Sequence, residues 1–155
     1  MLAARLFLVT AGAVAAAVLP ATAGQVTCYN GGPQHTGVYD TEPLLELGGL
    51  QWKFDTVGDV TSPPLVYDGI VYFGDWAGYC YAVDTDTGKE MWRLEAGKAV
   101  PGPPTIADGV AYWGSQAGNV FALDPVTGTE RWKIQVEGGV CFPPLVHDGL
   151  VYFTS

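Results

Sequence analysis

The chain has 155 residues, with 16 Asp and Glu against 7 Lys and Arg and a formal net charge of −9; the sequence pI is near 4.3. Nucleic acid and anionic lipid headgroups are bound through basic patches, so this balance excludes a nucleic-acid partner as the expected reading. The three cysteines, Cys28, Cys80 and Cys141, form neither C-x-x-C nor C-x-x-C-H, which argues against zinc or covalent haem and leaves small apolar side chains with at most one disulfide.

Residues 1–23 come first. Arg5 precedes an apolar run from Leu6 to Leu19, then Pro20 and Ala21-Thr22-Ala23. A basic start, a short apolar stretch and small residues at −3 and −1 predict a secretory signal peptide cut after Ala23. The run is shorter than the ~20 residues of a membrane span, so the mature chain is expected to be periplasmic or secreted and not an integral membrane protein. Gln25-Val26-Thr27 ahead of Cys28 do not make a lipobox. Residues 24–49 read as a lead-in segment.

Residues 50–155 repeat with a forty-residue step. Trp52, Trp92 and Trp132 mark it, as do Pro63-Pro64, Pro103-Pro104 and Pro143-Pro144, and Tyr72, Tyr112 and Tyr152. Each unit reads as strands: a Trp strand such as "LQWKF", then "PLVY", "IVYFG" and "YCYAVD". Two-residue hairpin turns stand at Asp68-Gly69, Asp108-Gly109 and Asp148-Gly149, since type I′ turns need positive φ at both central positions. The Pro pairs lie at strand starts, where a missing N–H harms a ladder least. The period thus predicts an all-β fold, an incomplete β-propeller of four-stranded antiparallel blades. A sandwich or linear meander would not require identical turns at a fixed step. About 2.5 repeats fall short of the ~4–8 blades that close a ring, so the chain is expected to be the N-terminal piece of a longer propeller, truncated in its third unit.

Each unit also carries A-x-D-x-x-T-G-x-E-x-W, at Ala82, Asp84, Thr87, Gly88 and Trp92 and again at Ala122, Asp124, Thr127, Gly128 and Trp132; a degenerate copy keeps Gly48 and Trp52. Asp86-Thr87-Gly88 looks like an aspartic-protease loop, but the second copy has Val126 in place of the acid, and that chemistry needs two carboxylates sharing a proton. Asp84, Asp86 and Glu95 look like a calcium loop, but Gly88 and Lys89 stand where an EF-hand wants Asp or Asn and Gly. His147 aligns with Tyr67 and Ala107 and reads as an exposed strand residue; His35 has no Ser, Asp or metal-ligand companion at a useful spacing. No catalytic, cofactor-binding or metal residue is identified. Among the aromatics, Trp76 aligns with Gln116 and is the candidate contact residue, since exposed loop aromatics anchor recognition.

The motif resembles the tryptophan-docking (PQQ) repeat of quinoprotein-like β-propellers, and "GGPQHTGVYDTEPLLELGGLQWKF" resembles the lead-in of their secreted and periplasmic members, related to the propeller lipoprotein of outer-membrane assembly. WD-type propellers match less well. The resemblance implies that each Trp stacks between blades near the motif Gly, that the Asp and Thr satisfy turn N–H groups, and that the chain is an exported, non-catalytic scaffold for a protein or cell-envelope component. The alternative it implies is a piece of a PQQ-dependent alcohol or sugar dehydrogenase, which would need PQQ and calcium.

Overall fold

A computed structural model describes the backbone of residues 5–10 and 13–18 and the whole of residues 50–155. The lead-in, with Cys28, His35 and Gly48, and the expected cleavage site after Ala23 lie outside the described residues.

Two complete sheets stand side by side in the chain. The first is β4 (Leu65–Tyr67), β5 (Ile70–Gly74), β6 (Tyr79–Asp84) and β7 (Glu90–Glu95), hydrogen-bonded in that order. The second is β8 (Thr105–Ala107), β9 (Val110–Gly114), β10 (Asn119–Leu123) and β11 (Glu130–Gln135), paired in the same way. All pairings are antiparallel. A third unit contributes β12 (Leu145–His147) and β13 (Leu150–Tyr152). Ahead of them, β1 (Arg5–Thr10) pairs with β2 (Ala13–Val18), and β2 with β3 (Leu50–Asp55). The architecture is all-β, built of four-stranded antiparallel sheets in an incomplete propeller arrangement. Among the described residues no helix is long and apolar enough to cross a membrane.

The sequence reading opened each unit on its Trp strand, whereas each sheet closes on it. The tight connection explains why. Gly88 N–H donates to the Asp84 carbonyl at 2.9 Å and Asp84 N–H to the Lys89 carbonyl at 3.0 Å, so the chain folds straight back into the same sheet. After the Trp strand the chain runs through residues 56–64 to Pro63-Pro64, whose missing N–H groups cannot extend a ladder, and it enters the next sheet.

The hairpin turns have the backbone that their sequence demands. Asp68, Asp108 and Asp148 have φ of 49°, 50° and 49°, and the glycines after them 76°, 69° and 73°.

The core consists of the spaces between sheets. Strand residues alternate between faces, so Ile70, Tyr72, Cys80 and Ala82 enter one cluster with Trp92, Ile106, Trp113 and Leu123. Their neighbours Val71, Phe73, Tyr81 and Val83 enter another with Val60 and the partly buried Trp52 and Phe54. Each cluster is a seam between two sheets.

Candidate interaction surface

The forty-residue motif sits at these seams. Ala82 is paired with Trp92 and Ala122 with Trp132 across the β6–β7 and β10–β11 ladders, each beside a register shift. The indole then reaches into the following sheet. Trp52 Nε1–H donates to the Thr85 carbonyl at 2.9 Å, and Trp92 Nε1–H to the Pro125 carbonyl at 2.9 Å. Gly88 and Gly128 have φ of 68° and 70°. A Cβ on either would lie 2.6 Å from Cδ2 of Trp52 or of Trp92, so both the backbone and the contact require glycine there.

Tyr72 joins the second seam. Its hydroxyl donates to the same Pro125 carbonyl at 3.1 Å, so one carbonyl receives two donors, and its ring lies 6.1 Å from Trp92. Burial first, then the nearby Asp68 carboxylate, holds the Tyr72 hydroxyl well above the usual tyrosine range, which keeps it a donor.

The polar motif residues serve the turns. Asp84 Oδ1 accepts from Asp86 N–H at 3.1 Å, Thr87 N–H at 2.8 Å and the Thr87 hydroxyl at 2.7 Å. Asp124 Oδ1 does the same with Val126 and Thr127, and the Thr127 N–H above all holds the Asp124 carboxyl below its usual range. Arg131 closes this turn, donating to the Gly109 carbonyl at 2.9 Å and to Asp124 Oδ2 at 3.3 Å. A carboxylate oxygen that accepts three local donors is committed to turn geometry rather than to catalysis. The described residues contain no cluster of three or more His, Cys, Asp or Glu that could hold a metal. The turn carboxylates at hand therefore do not fit a quinone–calcium site.

Sequence reasoning overlooked Asp75. It is fully buried. Its Oδ2 accepts from Gly58 N–H at 2.9 Å and from the Tyr81 hydroxyl at 2.9 Å, and its Oδ1 from Tyr79 N–H at 2.8 Å. Burial pushes the Tyr81 hydroxyl up to about 12, so it too stays a donor. Forty residues on, Ser115 and Phe121 replace this pair, and Ser115 Oγ donates to the Ala96 carbonyl at 3.0 Å. The usable signal was the joint change: where the acid disappears, the phenolic hydroxyl disappears with it.

Trp76 stands on the turn between β5 and β6. It is 51% exposed, yet fixed: its N–H donates to the Asp59 carbonyl at 2.9 Å and its indole N–H to the Thr61 hydroxyl at 2.6 Å. Val57, on the connection between β3 and β4 that also holds Asp59 and Thr61, is exposed as well. Other aromatics at repeated positions, Phe73, Tyr81, Trp113 and Phe121, are buried. Trp113 donates its indole N–H to the Gly102 carbonyl at 3.0 Å. His147 is exposed beside Asp148. Cys80 is buried and Cys141 exposed, and neither is in a disulfide.

A family model described as "Outer membrane protein assembly factor BamB" matches residues 44–97 and 76–155. The chain belongs to this family. None of the curated proteins matches it, but solved structures do. BamB from Moraxella catarrhalis superposes with a TM-score of 0.55 at 22% identity, over 66% of this chain and 33% of that one. Quinohemoprotein alcohol dehydrogenase from Comamonas testosteroni gives 0.54 at 28% identity, over 59% of this chain and 16% of that one. A europium-containing methanol dehydrogenase gives 0.58 at 18% identity, over 86% and 23%. The chain thus spans a third or less of each of these proteins. An assembly factor and two dehydrogenases share the fold, so the fold does not choose between their activities.

Proposed function

We propose that the protein is an exported, non-catalytic propeller scaffold that binds a protein or a cell-envelope component in the periplasm or outside the cell. One observation carries this reading. The repeated polar groups of the motif, in Asp84, Thr87, Asp124 and Thr127, face their own turns, while the large aromatic Trp76 is held rigid and exposed at the end of a sheet. A fixed, half-exposed indole loses little entropy on binding and suits a protein partner. Removal of residues 1–23 as a signal peptide belongs to the same reading.

The test is a photo-crosslinking amino acid placed at position 76 in the exporting cell. Discrete protein adducts are expected from position 76 and not from exposed Glu130 on the opposite end of the sheets. Equal labelling at both would sink the reading. The similarity to the Comamonas dehydrogenase keeps a second reading, in which the chain is one part of a PQQ-dependent dehydrogenase. Dye-linked alcohol oxidation by the purified protein supplied with PQQ and calcium would establish that one instead.

A further inference from the structure

The Asp-Gly hairpins are three versions of one turn. Asp68, Asp108 and Asp148 share φ of 49°, 50° and 49°, and all three are exposed. Asp68 stays exposed although a complete sheet follows its own, so a neighbouring repeat does not cover this position. Type I′ and type II′ turns have the same positive φ at the first central residue and differ by a flip of the central peptide. Both join two strands directly. In the type II′ form the first residue takes ψ of about −120°, which sets the following nitrogen beside its own Cβ. The flip reverses the sign of φ at the second residue, a change that glycine accepts. Each aspartate is thus one peptide flip from bringing the glycine nitrogen onto its own carboxyl carbon.

The turns differ in the residue ahead of the aspartate, which is Tyr67, Ala107 and then His147. His147 Nε2 lies 3.4 Å from Asp148 Oδ2, and both side chains are exposed. An imidazole gives up and recovers a proton near neutral pH, and this one stands against a carboxyl oxygen. Among the described residues no ion pair reaches Asp68 or Asp108.

We propose that Asp148-Gly149 is a site of self-modification, at which His147 promotes succinimide and then isoaspartate formation. The Gly149 nitrogen bonds to the Asp148 carboxyl carbon, and the bond from that carbon to Oδ2 breaks. The departing oxygen takes one proton from the His147 imidazolium and one from the Gly149 nitrogen and leaves as water. A carboxylate and an imidazolium thereby become a neutral ring and a neutral imidazole. Water then adds to one of the two ring carbonyls and the ring C–N bond there breaks. Opening at the side-chain carbonyl restores aspartate. Opening at the main-chain carbonyl leaves the chain running through Cβ and Cγ, which is isoaspartate. The pairing of Val146 with Val151 and of His147 with Leu150 spans a two-residue turn, and the added backbone carbon lengthens the turn that sets this register.

The test is ageing of the purified full chain at neutral pH in water labelled with heavy oxygen, then peptide mapping and methylation by an isoaspartyl methyltransferase. Label and isoaspartate are expected at Asp148 roughly three to ten times faster than at Asp68 or Asp108, short of the ~10²–10⁴-fold of a positioned catalytic group because this pair is exposed. His147→Ala should bring Asp148 down to the rate of Asp108. Ala107→His should raise Asp108 towards the rate of Asp148, in a turn with a described repeat on either side. The Asp68 turn reports on folding in every sample, since unfolding would speed its labelling as well. Equal rates at the three wild-type turns overturn the proposal, as does an Ala107→His chain without acceleration at Asp108. So does a His147→Ala chain that still labels fastest at Asp148; the third hairpin would then react because it frays, not because of the imidazole.

Discussion

Trp92 and Trp132 carry the same motif in the same strand position, and only one of them is finished. Both sit opposite an alanine, and both lie against a tyrosine at nearly the same distance and angle. Trp92 has the next sheet's glycine under its ring and a carbonyl on its N–H. Trp132 has neither among the described residues. The side chain's placement is therefore set by its own sheet, while its stabilising free energy is realised only at a seam. That separation suits a repeat architecture, in which each unit contributes its own stability and an interface with its neighbour.

The largest effect should come from breaking the finished side. Trp92→Ala leaves a cavity in a buried seam and removes a satisfied indole, which should cost about 3–5 kcal/mol. Trp132→Ala, which loses its packing on Tyr112 but no docked seam, should cost about 1 kcal/mol. Urea unfolding compares the two directly; equal losses would mean that Trp132 is already covered.

The glycines sharpen the same contrast. Gly128→Ala meets both a φ of 70° and the Trp92 ring, and should cost about 2–4 kcal/mol from strain and overpacking together. Gly109→Ala has φ of 69° with nothing within 4 Å, so strain alone should cost about 1 kcal/mol. The difference between the two melting shifts isolates the contribution of docking.

A smaller effect separates the two seams from one another. Asp75→Ser leaves the buried Tyr81 hydroxyl and the Gly58 N–H short of an acceptor, for a loss of about 1–3 kcal/mol. Adding Tyr81→Phe recreates the Ser115–Phe121 combination of the next repeat and should recover roughly half of that loss. A double variant no more stable than Asp75→Ser would show that the two residues act independently.

Much of the fold was legible because the signal was redundant. Asp-Gly fixed three hairpins through backbone strain that few other residues tolerate, and the forty-residue step fixed the repeat. The grouping of strands into sheets was less legible. Adjacency in sequence does not reveal which connection returns to the same ladder; that depends on the Asp84–Gly88 turn bonds and on the N–H groups missing from the Pro pairs. Trp76 was readable as an unmatched aromatic. Asp75 was legible only through its joint change with Tyr81 in the next repeat, because a lone acid before a turn resembles a solvated one, and its role depends on Gly58, 17 residues away, and on Tyr81.

The acceptor at the finished seam is a main-chain carbonyl, and it belongs to a proline in one repeat and to a threonine in the preceding one. Recognition addressed to the backbone is indifferent to the side chain at that position. Lineages can therefore duplicate, delete or exchange whole forty-residue units without re-evolving the joint, and mutations at position 125 drift freely so long as the glycine three places on is kept.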